Sequence, residues 1–434
     1  MKKHDTNIFA GPRPEISIPR KVDAPLPESA SMPNGVPVYV LDCCTETVVR
    51  VSFVFHAGTT MQRVPFSAST TANMLSEGTK NYTAQQIAES LDYHGSFFDV
   101  ALDRDFAVVT FVSLSKFFAR TMEIAREILL HPVFDEGELR AYCDKHKHRL
   151  AVERSKISHR ARELFSISLF GSDHPYGASF SEDYYDRLTR DDIAAFFRSL
   201  YVSGNCFVVA SGSVGEQERS LINALAADIP AGVRTPDPVF PAVRSETRVF
   251  KSHEGAVQSS IRIGKILFPR THPDYIPMQV VTTILGGYFG SRLVRNLREE
   301  RGYTYGVFSG MVNLQYAGYM AVSTDVAAAA TEDALRQIFL EMERLRTELV
   351  GGEELRIVRN IMTGEIMRIL DGPFGIADVT IENIQNGRDN TFLEEYMEQV
   401  RTITPGIILE TAGRYLSPES FTTVVVGDSQ YDPQ

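Results

Sequence analysis

Arg298 and Tyr305 stand on either side of Gly302 in the stretch GGYFGSRLVRNLREERGYTYGVFSG, which runs from Gly286 to Gly310. A guanidinium offers five N–H donors that are never deprotonated, and a phenol offers one O–H. Brought to one cleft, the two can hold a carbonyl oxygen and stabilise the negative charge it gains when attacked. Three local elements have to place them. A glycine-rich turn comes first, then a short helix from about Ser291, then a strand opening at Tyr303-Thr304-Tyr305 and running through Val307 and Phe308. The Ser291 hydroxyl is suited to cap the helix, because it can accept from an otherwise unpaired N–H of the first turn. Leu293, Val294 and Leu297 form an apolar stripe, which turns Arg292, Arg295 and Arg298 toward water. Gly302 ends the helix. The same residues also fit a capped helix with a solvated arginine face and a core tyrosine.

The stretch resembles the C-terminal half-site of the pitrilysin/insulinase family of zinc peptidases. That family has the same succession of glycine-rich turn, S-R-L, a helix ending in L-R, then G and Y before a strand. The resemblance implies that Arg298 and Tyr305 hold a substrate backbone and its developing oxyanion against a zinc site. It further implies a first half carrying H-x-x-E-H on a helix, where two histidines bind the metal and a glutamate takes a proton from metal-bound water.

In this chain that first-half motif is degenerate. Counting back from Gly78-Thr79 places Ser69-Thr-Thr-Ala72-Asn73 at the family's H-x-x-E-H. Ser69 and Asn73 replace the histidines, and Ala72 replaces the base. A hydroxyl and a neutral amide are poor zinc ligands, and alanine accepts no proton. The family's third ligand, a glutamate on a later helix, aligns near Lys145–His148, within the basic run Cys143-Asp-Lys-His-Lys-His-Arg-Leu150. No metal and no cofactor are therefore expected in this chain. His146 and His148 are two apart, so on a helix they point to different faces and do not chelate; a solvated helix face is expected there. His56, His94 and His131 lack ligand spacing and are read as structural.

Composition narrows the function classes. The chain has 434 residues, 43% hydrophobic and 23% charged, ordinary for a soluble globular protein. The formal net charge is −11, which argues against nucleic acid as a partner. No signal segment and no run of about 18 apolar residues is visible, so a cytoplasmic protein without a membrane contact is expected. Cys43, Cys44, Cys143 and Cys206 form no C-x-x-C pair, and Cys43-Cys44 read as small apolar residues just past a strand. No nucleophile elbow, phosphate loop or dinucleotide fingerprint occurs.

Along the chain, strands are expected at Val36–Leu41, Val48–Phe55, Phe106–Val112 and Phe207 onward. Helices are expected at Ser67–Leu75 and Ala84–Tyr93, along the face Phe118, Met122, Ala125, Leu129, and as one long segment from Glu136 to about Phe170. A Pro/Gly/Ala-rich stretch around PAGVRTPDPVFPAV reads as a linker. Beyond it come strands at Ser260–Phe268, Tyr319–Thr324 and Phe421–Val426 and a helix through Leu335 to Leu349. Thr189 to Gly212 and Thr404 to Gly427 have the same separation and the same order of cap, helix, turn, apolar strand and glycine, which indicates a duplicated unit. The expected fold is α+β: two homologous sandwich domains, each an antiparallel sheet with helices, in a clam-shell arrangement. The expected bounds are an N-terminal arm 1–30, a first domain 31–214, a linker 215–247 and a second domain 248–434.

The resemblance implies a division of labour. This chain has lost the zinc helix and kept the arginine and tyrosine, the pattern of a non-zinc-binding subunit in a two-chain metallopeptidase. A homologous zinc-carrying subunit would be its partner, with the zinc held there, and a peptide its substrate; a homodimer is the alternative when the chain is isolated. The competing expectation is a non-enzymatic scaffold of the same fold, like the core subunits of a respiratory complex.

Overall fold

The computed structural model describes residues 24–43, 47–241, 243 and 246–432. Cys44 lies outside them. Eleven strands among these residues build two sheets. The first half supplies β1 (Glu28–Ser31), β2 (Pro37–Asp42), β3 (Val48–Phe55), β4 (Phe97–Leu102), β5 (Ala107–Leu114) and β6 (Cys206–Gly212). The second supplies β7 (Arg248–Ser252), β8 (Gln258–Leu267), β9 (Thr304–Asn313), β10 (Gly318–Ala327) and β11 (Thr422–Gly427). The sheet orders are β1-β2-β6-β3-β5-β4 and β7-β11-β8-β10-β9. Leaving out β1, the second order repeats the first strand for strand. In each sheet the last strand of the half (β6, β11) pairs parallel to the first (β2, β7) and antiparallel to the second (β3, β8). Each half is thus a mixed α+β unit with one parallel pair.

The duplicated caps account for where the last strand of each half begins. The Thr189 hydroxyl accepts from the Asp192 N–H (3.2 Å) and the Asp192 carboxylate from the Thr189 N–H (2.9 Å), opening the helix Arg190–Leu200. Thr404 accepts from the Ile407 N–H (3.3 Å) at the start of Pro405–Tyr415. Each capped helix delivers the chain into a central strand buried on both faces, β6 and β11. Such strands read as unbroken apolar runs because no face meets water.

Three sequence expectations meet a different arrangement. The long segment from Glu136 is two helices, Glu136–Arg154 and Ile157–Phe170, because Lys156 takes an extended conformation between them. The expected linker opens with the helix Glu216–Asp228, whose Ile222, Leu225 and Ala226 lie in the first core. The expected arm contributes β1, paired antiparallel to β2. Composition marked the last two stretches as loop-like. In the expected linker Ile222, Leu225 and Ala226, at helical spacing, find a buried partner, whereas β1 is exposed along its length and is held by its ladder to β2.

The breaks matter because they free helices for exchange. Ile157–Phe170, from the first half, packs on β8 and β11, and its Phe165, Leu169 and Phe170 share a core with Val424 and Tyr319. Pro373–Gln385, from the second half, packs on β3 and β6, and its Ile376, Ala377 and Ile381 share a core with Leu41, Val54 and Val209. Each sheet is covered on one face by its own helices and on the other by a helix of the opposite half.

A polar cluster joins the tips of the two β-hairpins. Asp105 is 3% exposed, and its carboxylate accepts from the Tyr176 hydroxyl (2.9 Å), the Gln315 N–H (3.0 Å) and the Thr60 hydroxyl (3.2 Å). Burial pushes its carboxyl above the usual range. The Tyr316 hydroxyl donates to Asp237 (2.8 Å) and lies 3.1 Å from His56 Nε2. With the Tyr316 proton committed to Asp237, His56 donates from Nε2, and its buried Nδ1, which has no partner among the described residues, is left unprotonated. Burial, and then Arg234, hold the His56 imidazole below its ordinary range.

The sign of the pH dependence follows. A histidine depressed in the folded state contributes stability above its unfolded value of about 6.5 and loses it as pH falls through the folded value. Asp105, raised in the folded state, acts in the opposite sense: its contribution is present below the unfolded carboxyl value and is lost as pH rises through the folded one. Thermal melts from pH 7.5 to 5.5 should therefore show a falling Tm that His56→Gln flattens. Equal slopes for parent and variant would remove His56 from the account.

Candidate functional site

The glycine-rich turn begins with a steric requirement. A Cβ on Gly286 would stand 2.7 Å from Ser309 Cβ and 2.8 Å from its backbone nitrogen, so only glycine lets the turn cross β9 this closely. Thr283–Gly287 is π-wound up to Gly286, which leaves helical geometry at φ −159°, and Val294–Glu300 beyond the turn is again wound as π-helix. That winding is rare, and it is commonest where a functional group has to be re-aimed. Leu293, Val294 and Leu297 are buried as the stripe predicts. Ser291 is not the cap: its hydroxyl is buried without a partner among the described residues. The helix start is secured through backbone instead, the Arg295 N–H donating to the Ser291 carbonyl at 3.0 Å.

Arg292 does not face water. Its guanidinium meets Glu354 through two hydrogen bonds of 2.8 Å, which hold it still more firmly in its charged form. Arg298 is held differently. Its guanidinium lies 4.6 Å from the centre of the Phe289 ring, and among the described residues no carboxylate is within ion-pair distance. A ring face supports a cation without using its N–H donors. Arg298 is thereby oriented, with its donors left for another acceptor.

Gly302 takes a left-handed φ of +68° and turns the chain. The Tyr303 N–H then donates to the Leu297 carbonyl (2.8 Å), closing the loop between helix and strand. The pairing of β9 with β10 slips between Val326↔Thr304 and Thr324↔Val307, so Tyr305 and Gly306 form a bulge on the outermost strand of the sheet. The bulge is locked: the Thr304 hydroxyl accepts from the Gly306 N–H (3.0 Å) and donates to the Asp325 carbonyl (2.7 Å), while Thr324 donates to the Gly306 carbonyl (3.0 Å). Bulges commonly re-aim a side chain at a site. Here Tyr305 is 93% exposed, which rules out the core-tyrosine alternative. Phe289, at 67% exposure, is the residue sequence reasoning missed; a bulky aromatic inside a glycine-rich turn was the available signal.

The first-half positions tell the complementary story. Ser69, Ala72 and Asn73 lie on the helix Ser67–Met74. The Ser69 hydroxyl donates to the Phe66 carbonyl (3.1 Å), and the Asn73 amide donates to the Ser69 carbonyl (2.7 Å) and the Tyr142 hydroxyl (3.3 Å). Ala72 is buried. His146 stacks on Tyr142 at 4.0 Å, half-buried and not on a solvated face, and burial lowers its basicity. Burial also raises the Tyr142 phenol, so no phenolate is available. Asn73 offers N–H where a ligand would need a lone pair, and an aromatic stack stands on the facing helix. Zinc does not fit this donor set, and among the described residues no group of three or more His, Cys, Asp or Glu side chains could hold a metal. None of the helices there is long and apolar enough to cross a membrane.

Comparison with known proteins bears on the family and the fold. Residues 46–173 match the family model for insulinase, peptidase family M16, and residues 187–362 match the model for the peptidase M16 inactive domain. A Rickettsia bellii protein described as an uncharacterized zinc protease is 24% identical over 82% of this chain and 86% of its own length. A Helicobacter pylori protein named non-peptidase homolog YmxG is 23% identical over 66% of this chain and 69% of its own. The crystal structure of a peptidase M16 inactive domain from Pseudomonas fluorescens superposes with a TM-score of 0.85 at 21% identity, covering 93% of this chain and 98% of that one. The chain belongs to the insulinase-like peptidase family M16, and within it to the type that lacks the zinc motif.

Proposed function

We propose that this chain is the non-zinc-binding subunit of a two-chain M16 metallopeptidase. A homologous partner supplies the zinc, the attacking water and the general base. This chain supplies Arg298 to hold a carbonyl of an extended peptide and Tyr305 to donate to the oxyanion of the tetrahedral intermediate. The observation that carries the reading is an asymmetry between the halves. Where a metal helix would be, the polar groups are turned to one another. In the second half an arginine without a carboxylate partner among the described residues and a bulge-mounted tyrosine stay open. A scaffold subunit has no use for open donors of that kind, although the name of the Helicobacter pylori relative suits a protein without activity of its own.

The test mixes the purified chain with a zinc-carrying M16 homologue from the same source and follows quenched fluorescent peptides. Cleavage by the mixture should exceed that of either chain and stop with a chelator, while metal analysis of this chain alone finds no stoichiometric zinc. Equal cleavage by the homologue alone would favour the scaffold. Tightly bound zinc with cleavage by this chain alone would end both readings.

A further inference from the structure

The helix Thr331–Thr347 packs Leu335, Ile338, Met342 and Leu345 into the second core. Beside that stripe it carries Asp333, Gln337 and Glu341, spaced i, i+4, i+8 and so lying in one row. The row meets the segment bearing the candidate donors at two points. Asn296 Nδ2 donates to Glu341 Oε1 (2.8 Å) and Gln337 Oε1 (3.3 Å), in a setting where all three side chains are buried. The Tyr303 hydroxyl donates to Asp333 Oδ2 (2.9 Å). Along the chain Arg298 lies between these anchors, and Tyr305 comes two residues after the second.

Burying Glu341 and Gln337 under a helix is costly unless their polar atoms are matched. Core filling does not require it, since the same helix packs its other face with aliphatic side chains. We infer that Asp333, Gln337 and Glu341 are positioning residues, which grip Asn296 and Tyr303 and so fix where Arg298 and Tyr305 point. The Arg292–Glu354 pair serves as a third anchor at the helix start. The functional part rests on the two-chain reading above. The positioning part does not, and it can be measured on this chain alone.

With the Arg298 guanidinium over the Phe289 ring, its Nε–H should carry a ring-current shift in a ¹H–¹⁵N spectrum of the labelled chain, and Phe289→Leu should identify that signal and its unshifted value. Asn296→Leu and Tyr303→Phe should each move the Arg298 signal toward the Phe289→Leu value, and Glu341→Gln, which keeps an acceptor for Asn296, should leave it in place. In the mixture, the first two variants should lose up to about 10²-fold in turnover, the scale on which small misplacements act, and Glu341→Gln should retain it. An unmoved Arg298 signal in Tyr303→Phe, which removes one oxygen from a part-buried side chain at the margin of the core, would overturn the inference even if the Asn296 variant failed to fold. A moved signal with unchanged turnover would overturn its functional part. A parent mixture without cleavage would count against the two-chain reading and leave the spectroscopic result standing.

Discussion

Tyr305→Phe should cut the turnover of the two-chain mixture about 10²–10³-fold, the effect of removing one oxyanion donor from a preorganised site. The substitution deletes a single oxygen from a side chain that is 93% exposed, so it has little to disturb in the fold. The locked bulge is what makes the size of the effect a fair test. Thr304 and Thr324 hold the backbone at Gly306, so the ring of the variant should keep its place. Arg298→Ala should act on substrate capture as well as turnover, and Arg298→Lys should recover only part of it. An ammonium neither spreads over the Phe289 ring nor presents two parallel donors. Pairing of the subunits, followed by sedimentation, should be unchanged in all three variants. Full activity in Tyr305→Phe would remove the phenol from the mechanism.

The second large effect concerns stability. Phe165→Ala should destabilise the protein by about 3–5 kcal/mol, as for other buried phenylalanines. The informative part is where the loss appears. Phe165 belongs to the first half in sequence, yet its ring packs over Gly264 of β8, where a Cβ would come within 2.6 Å of it. Hydrogen exchange should therefore lose protection in β8 and β11 at least as much as in the first sheet. The chain has no tryptophan, so circular dichroism is the natural probe for the accompanying urea titration. Protection lost in the first sheet alone would mean that the exchanged helix does not couple the halves.

Much of this was legible beforehand. Alternation and continuous apolar runs located β3, β5, β8 and β11 within a residue or two, and both threonine caps fell where the spacing put them. The duplication was visible in two segments and extends to the whole strand order. The chemistry of Ser69, Ala72 and Asn73 was also readable, since a hydroxyl, a methyl and a neutral amide supply neither good zinc ligands nor a base whatever surrounds them. Errors clustered where a local preference was outweighed by a distant partner. Ser291 has a capping side chain that the tight packing of its turn takes out of use. Arg292 belongs on the wet side of a helix by periodicity, but Glu354 draws it in. His146 looked solvated because its neighbours in sequence are charged, while its neighbours in space are aromatic.

Residue chemistry and short-range spacing are written in the chain, because a hydroxyl cannot become a base and a helical row repeats wherever the helix goes. That is why the donor types of Arg298 and Tyr305 and the two-fold plan needed no coordinates. Orientation is different. The cradle of Arg298 on Phe289, the bulge that turns Tyr305 outward and the helices traded between sheets depend on contacts between segments far apart in sequence or on opposite sides of a turn. Such contacts arise when the whole chain buries its apolar surface and matches its buried polar groups at once, a condition that no single stretch of residues can express.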